Sequence, residues 1–339
     1  MIDTRTFFFI SQNMADDDFL AFAMTVLYVI AMIVALAGNT LLIYIVWNKP
    51  RTRTLTSFLF VNMAVADLMV AVFLMPVNIT HYYVVGSSDF LEAFNCRFLS
   101  YAAHISMIAS IFCLTVMAFD RYFAVVHPFR RSIWFRKPKI ITPIIWISSI
   151  ALMSIVPAAF KLYRGKCRIE KHLILPLYAY LFAVGFLLPL AVISVLYTLV
   201  ARKLWLHEVP VDHNQQEPEI PKKKVIRMLI IVVVVFAVCW LPVHVYQLDD
   251  GVSIVVSGYT QGTDWVPYII SICYFFGHAN SAINPWLYIG LNGKMKAAFK
   301  NMIRCRHEVL PGRGQRTLTL TSRRSRLSST NNSMLESRL

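Results

Sequence analysis

The chain has 339 residues, of which 57% are hydrophobic and only 15% charged, and its mean hydropathy is +0.58. Soluble globular domains do not reach that balance, and the apolar runs are too long for the ten-residue alternation of a transmembrane barrel, so the composition specifies an all-α polytopic membrane protein. The formal net charge of +15 has meaning only through its placement along the chain.

Seven spans are predicted, at 20–47, 55–85, 94–126, 139–160, 172–205, 223–248 and 265–290. With the N-terminus outside, the cytoplasmic segments carry 3, 6, 6 and 11 basic residues, 26 of the 33 Lys and Arg. That is the asymmetry of the positive-inside rule. It assigns the excess charge to inner-leaflet lipids, with no need for a nucleic-acid partner. The organisation read from this pattern has four parts. They are an extracellular N-terminus (1–19), a seven-helix bundle (20–291), an interfacial amphipathic helix (292–305) and a disordered cytoplasmic tail (306–339). Phe7 to Ile10 is too short for a signal peptide, so the first span is expected to serve as the signal.

Span one contains Gly38-Asn39: a small residue suited to close packing, and a buried amide that needs a hydrogen-bond partner on another helix. Span two carries Asp67, the only carboxylate in the interior of a predicted span. Such a group is costly and marks function, unless it is held as a neutral, hydrogen-bonded acid. Pro76 is expected to kink the outer part of that helix. Span three runs from Cys96 to Asp120-Arg121-Tyr122. Over about 37 Å of helix it presents a thiol to one compartment and an acid–base–phenol triplet to the other. Ser106 and Ser110 lie on one of its faces, with Ile111 beside them.

Span four offers Trp146 and little else polar, which points to packing. Cys167 follows in the loop KLYRGKCRIEKH. Cys96 and Cys167 are the only cysteines predicted on the oxidising side and are paired on that ground, whereas Cys113, Cys239 and Cys273 lie within spans as thiols. Span five holds Pro189 and Tyr197. Span six begins at Lys222-Lys223-Lys224 and contains Phe236 and Cys239-Trp240-Leu241-Pro242, a proline hinge with a bulky lever below it. Span seven ends in HANSAINPWLY, with Asn280, Ser281, Asn284 and Pro285 before Tyr288. Beyond it, Leu291, Met295, Ala298, Phe299, Met302 and Ile303 recur at helical spacing opposite lysines, the pattern of a helix lying on the membrane. Cys305 at its end is placed for palmitoylation.

Taken in order, one set per span, these motifs resemble the rhodopsin-like (class A) family of G-protein-coupled receptors over about residues 20–305. The resemblance implies a sodium-binding pocket of Asp67, Ser110, Asn280, Ser281 and Asn284, and no cofactor besides that allosteric ion. It implies activation switches at Ile111, Pro189 and Phe236 (a transmission triad), at Trp240 with Pro242 (a toggle), and at Asp120, Arg121, Tyr122, Tyr197, Pro285 and Tyr288. A G-protein helix would dock in the groove those residues open, and the ligand would act by binding the open state better than the closed one.

Amine receptors of the family carry an Asp where this chain has Ala103, and opsins a Lys where it has His278, so both readings lose their anchor. The remainder is most similar to neuropeptide receptors at the plasma membrane. Candidate ligand contacts are Asn78, Tyr82, His104, Tyr178, His244, Gln247, Asp250, Tyr274 and His278, each of which could equally be ordinary interhelical packing. Asp249 and Asp250 suit a basic or amidated peptide, while Arg164, Lys166, Arg168 and Lys171 would suit an acidic one. In the tail, Thr317, Thr319, Thr321, Ser322, Ser325, Ser328 and Ser329 lie among arginines as phosphorylation targets for arrestin recruitment, and Ser337-Arg338-Leu339 resembles a PDZ ligand. The alternatives are a class A receptor for a non-peptide small molecule and, from another class, a membrane transporter. The sequence contains no internal repeat and no line of ionisable residues of the kind a transporter uses, and nothing in it points to an enzyme.

Overall fold

The computed structural model describes residues 18–81, 95–127, 137–163, 166–206, 220–257 and 266–304, apart from some side chains at the ends of these segments. Helix one is Asp18–Asn48. Helix two is built from Leu55–Met69, a π-helical Val70–Leu74 and Met75–His81. Helix three joins a π-helical Asn95–Leu99 to Ser100–Val125. Helix four is Pro138–Met153 continued by Ile155–Ala159. A two-stranded antiparallel hairpin follows, β1 (Phe160–Tyr163) and β2 (Lys166–Ile169), in which Cys167 stands opposite Leu162. Helix five comprises Lys171–Phe182, a π-helical Ala183–Leu187 and Leu188–Leu206. Helix six is Ile220–Ser257, helix seven Val266–Leu291, and an eighth helix runs Gly293–Ile303.

Six of these helices are long and apolar enough to cross a membrane by length and composition. Helix seven is not among the six; its interior carries His278, Asn280, Ser281 and Asn284, all buried. The packing follows chain order around a ring: one on two and seven, two on three, three on four and five, five on six, six on seven. Helix three also meets helix six and is the central element, with 78% of its most apolar window buried against 22% for helix one. The large side chains left outside are apolar, among them Ile33, Trp47, Ile147 and Val238. In water such exposure would be a liability, whereas in a bilayer it meets a solvent as apolar as itself.

Two of the three π-helical segments have a common local cause. Val70–Leu74 ends two residues before Pro76, and Ala183–Leu187 two residues before Pro189. A proline has no N–H to give to the carbonyl one turn back and its ring crowds that carbonyl, so the turn widens ahead of it. The kink expected from Pro76 is therefore delivered as a wide turn beginning three residues after Asp67. Helix six, by contrast, remains one helical segment with Pro242 inside it.

Small residues set the closest approaches. A Cβ on Gly38 would lie 2.7 Å from Pro285 Cγ and 2.9 Å from Trp286 Nε1, so the missing side chain lets helix one pack against the proline-bearing turn of helix seven. Asn39, next in sequence, donates from Nδ2 to Ala35 O at 2.9 Å and to Ser281 O on helix seven at 3.0 Å, which supplies the interhelical partner its burial demanded.

Several boundaries differ from those read in the sequence. Helix one begins at Asp18, within the stretch assigned to the N-terminus, and helix six runs to Ser257, past the predicted end at 248. Acidic Asp249 and Asp250 read as an exit from the apolar layer, but a helix needs no apolar residues to continue, only the absence of a breaker. The expectation that Trp146 merely packs is also corrected: its indole Nε1–H donates to Asn62 Oδ1 at 2.9 Å, and Asn62 Nδ2 donates to Thr142 Oγ1 at 3.0 Å, tying helix four to helix two. The chain divides into a unit ending at Lys296 and a second unit from Ala297, which takes the end of the eighth helix. Tyr82, Cys305 and the tail sites lie outside the described residues, as does the side chain of Cys167.

Candidate functional site

Three groups of buried polar side chains lie along the bundle, and each assembles residues from several helices. The middle group centres on Asp67, which is 2% exposed. Its carboxylate accepts from Asn284 Nδ2 at 3.2 Å and from the Ser281 hydroxyl, both on helix seven. Ser110 on helix three and Asn280 on helix seven are buried as well, and Ser106 Oγ donates to Ala66 O at 3.0 Å, joining helices three and two. The Oδ1 atoms of Asn280 and Asn284 are buried without a hydrogen-bond partner. The group is therefore rich in oxygen acceptors and short of donors.

The second group occupies the Arg121 end. Arg121 forms an ion pair with Asp120 at 2.9 Å and donates from the same nitrogen to Thr56 Oγ1 on helix two. Its Nε is buried without a partner. Tyr288 of helix seven is fully buried, stacks on Phe60 of helix two with ring centroids 4.0 Å apart, and directs its hydroxyl at Met63 Sδ. Tyr197 of helix five is buried with its hydroxyl unpartnered, while Tyr122 is half-buried and hydrogen-bonded to His127 Nε2 at 3.1 Å. Arg121, Tyr197 and Tyr288 are thus brought to one end of the bundle, with Arg121 and Tyr288 both held toward helix two.

Between these groups lie Ile111, Pro189 and Phe236, all buried, on helices three, five and six. The rings of Phe236 and Trp240 stand 6.3 Å apart. Pro285 is buried below Asn284, and Pro242 is half-buried above Trp240.

The third group occupies the Cys96 end. His244 sits among aromatic rings, 5.0 Å from Phe186, 5.8 Å from Phe182 and 6.4 Å from Trp240 between centroids. His104 on helix three, an electrostatic neighbour of His244, is oriented by a 2.6 Å hydrogen bond between its Nδ1 and Ser100 O. Gln247 Nε2 donates to Tyr274 OH at 3.3 Å, Tyr274 stacks on His278, and His278 Nδ1 is hydrogen-bonded to Tyr28 OH at 3.1 Å. Tyr178 and Asp250 are buried in the same outer half of helices five and six. Asn78 is half-buried and spends an amide hydrogen on Leu74 O of its own helix.

The hairpin joins this end. Arg97 Nε donates to Phe160 O at 3.2 Å, which fixes β1 to the start of helix three. Glu170 accepts from Lys161 and lies 3.5 Å from His172, and the Lys161 ammonium holds its carboxyl below the usual range. Cys96 is buried and disulfide-bonded, and the free cysteines among the described residues are Cys113, Cys239 and Cys273, all buried.

Three residues escaped the sequence reading: Thr56, Asn62 and Tyr28. Each is a short or aromatic polar residue in an apolar span, and only the register between helices reveals which partner it meets.

A ring of helices with a polar seam, a cationic group restrained at one end and a polar chamber wall at the other, defines a membrane receptor. Comparison with known sequences gives the family: the profile of the 7 transmembrane receptor (rhodopsin family) matches residues 38–288. The chain is 30% identical over 300 residues to the substance-P receptor of Rattus norvegicus, covering 82% of this chain and 70% of that protein. It is 32% identical over 298 residues to the neuromedin-K receptor of Mus musculus, covering 82% and 62%. The chain belongs to the rhodopsin family of seven-transmembrane receptors. It is a multi-pass G-protein-coupled receptor and not an enzyme.

Proposed function

We propose that this receptor lies in the plasma membrane with its N-terminus extracellular, binds a neuropeptide at the Cys96 end, and activates a heterotrimeric G protein at the Arg121 end. The observation that carries the reading is the restraint of Arg121 by Thr56 and Asp120 beneath a bundle whose far end has buried polar atoms without partners. A ligand that satisfies those atoms only when helix six shifts would favour the shifted state by its differential affinity. Movement of helix six away from helix three would then open a groove for a G-protein helix. Relatives named as receptors for substance P and neuromedin K support a peptide ligand.

Cys96 pairs with Cys167 in this reading, which would tie β2 to helix three over the ligand entrance. The middle group fits a sodium ion: a hard cation takes oxygen ligands, and Asp67, Ser110, Asn280, Ser281 and Asn284 offer carboxylate, hydroxyl and amide oxygens, two of them unpartnered. A cation bound there in the closed state would oppose agonist. Arrestin would engage the tail once its Ser and Thr are phosphorylated, Cys305 would be palmitoylated, and the terminal Ser337-Arg338-Leu339 is the place to test a PDZ-domain partner.

The experiment is nucleotide exchange. The purified receptor in lipid nanodiscs is mixed in turn with each class of heterotrimeric G protein and a pool of amidated peptides. Peptide-dependent GTP uptake by at least one G protein is expected. Exchange rates identical with and without receptor, across all classes and with the peptide pool present, would reject the reading.

A further inference from the structure

The face of helix six that looks toward helices five and seven carries four polar residues at spacings of four, three and three: Trp240, His244, Gln247 and Asp250. At 1.5 Å per residue the run rises about 15 Å and stays within roughly a third of the helix circumference. His244 and Gln247 are each 2% exposed and Asp250 4%. Every member holds a buried atom with no hydrogen-bond partner: Trp240 Nε1, both ring nitrogens of His244, Gln247 Oε1 and Asp250 Oδ2. One such atom costs about 1–3 kcal/mol, so four consecutive rungs on one face are an expensive arrangement for packing alone.

The chemistry of the rungs changes along the helix. Asp250, outermost, is an acceptor, and the carboxylate of exposed Asp249 adds to the negative field there. Gln247 is also an acceptor toward the open side, because its amide nitrogen is already given to Tyr274 OH and its orientation is thereby fixed. Below them, His244 lies among Phe182, Phe186 and Trp240, an aromatic floor with few polar demands. Two acceptors above an aromatic floor call for two donors above an apolar group. An extended peptide advances about 3.3–3.6 Å per residue, close to the ~4.5 Å rise between Gln247 and Asp250.

Resting on the receptor reading above, we propose that the ligand is a basic peptide that docks along this ladder. An ammonium or guanidinium pairs with Asp250, an adjacent amide N–H donates to Gln247 Oε1, and an aromatic or aliphatic side chain reaches the floor around His244. A carboxylate in the amide's place would set acceptor against acceptor, so an amide is preferred to an acid there. The cation supplies the charge partner that a buried carboxylate requires.

The test uses three amidated pentapeptide libraries, identical except that one position is fixed as Arg, citrulline or Glu, read by GTP exchange in receptor membranes. Wild-type receptor should respond to the Arg library, to the citrulline library at about 30-fold higher concentration or more, and not to the Glu library; the fold-change corresponds to about 2 kcal/mol for a truncated buried charge pair. Asp250→Asn, matched for surface expression, should lose the Arg–citrulline difference, Asp250→Glu should keep it, and Asp250→Arg should shift preference to Glu. A wild-type receptor that prefers the Glu library, or an Arg–citrulline difference that survives in Asp250→Asn, overturns the proposal. If no library acts while ligand-free exchange above mock membranes persists, the basic-peptide ligand is rejected and the receptor reading stands. Loss of ligand-free exchange as well would sink the receptor reading itself.

Discussion

Thr56 is the residue at which the closed state is most open to test. Its hydroxyl accepts a hydrogen bond from Arg121, and it is 5% exposed at the start of helix two. Replacing it by Val keeps the shape and removes the acceptor. A hydrogen bond to a charged group contributes about 1.5–3 kcal/mol when buried. The Arg121 side chain is 25% exposed and retains Asp120, so the loss is discounted to roughly 1 kcal/mol. Because the contact spans helices three and two, that energy belongs to the closed arrangement, whereas the Asp120 pair within helix three can persist in both states. About 1 kcal/mol multiplies the open-to-closed ratio roughly five-fold, so an open fraction of about 1% would rise to about 5%. The assay is agonist-free GTP exchange at matched surface expression, with Thr56→Ser as the control that keeps the hydroxyl. Exchange in Thr56→Val equal to or below that of Thr56→Ser would refute the reasoning, since Arg121 would then be held by something else.

Four further outcomes follow from the same account. Cys96→Ser and Cys167→Ser should each cut surface expression or ligand binding, and the double mutant should do no worse than either; additive losses, read by flow cytometry, would show that the two are not one unit. Sodium should weaken agonist binding relative to choline, and Asp67→Asn should abolish the difference; an unchanged salt response in that variant defeats the sodium site. Lys222→Glu should lower agonist-free exchange by giving Arg121 an acidic neighbour from helix six, an effect of about 0–1 kcal/mol for an exposed pair; exchange that stays level at equal expression argues against it. Gly38→Leu should lower the thermal stability of the detergent-solubilised receptor, because even a Cβ there would lie 2.7 Å from Pro285 Cγ; a melting temperature within error of wild type would mean that helix one simply moves away.

The spans and the motif residues were legible in the sequence because both rest on local signals. Length and hydropathy place a helix, and Asp67 stands out against its apolar neighbours wherever its partners are. Interhelical register is different in kind. That Trp146 meets Asn62, that Tyr28 meets His278 and that Thr56 meets Arg121 depends on the rotation of each helix about its axis, which no single span encodes. The π-helical turns ahead of Pro76 and Pro189 were half legible: the prolines predicted a disturbance, but not that it would be absorbed as a widened turn. The far end of helix six was misread for a simpler reason, since polarity ends an apolar layer without ending a helix. At the candidate ligand site the sequence named His244, Gln247 and Asp250 one by one, whereas their common face and unpartnered atoms emerge only from the packing around helix six.

The central claim is that events at the Cys96 end open the Arg121 end, and a distance reports it most directly. Spin labels at Lys137, at the start of helix four, and Lys224, near the start of helix six, would sit on exposed positions, while the native Cys113, Cys239 and Cys273 are buried and Cys305 is replaced by Ser. Pulsed electron resonance then measures the separation in nanodiscs. Adding heterotrimeric G protein without nucleotide, or a peptide pool active in exchange, should populate a longer distance, and GTP should return the G-protein-bound sample to the short one. A distribution that stays the same with peptide, with G protein and with both would contradict the account.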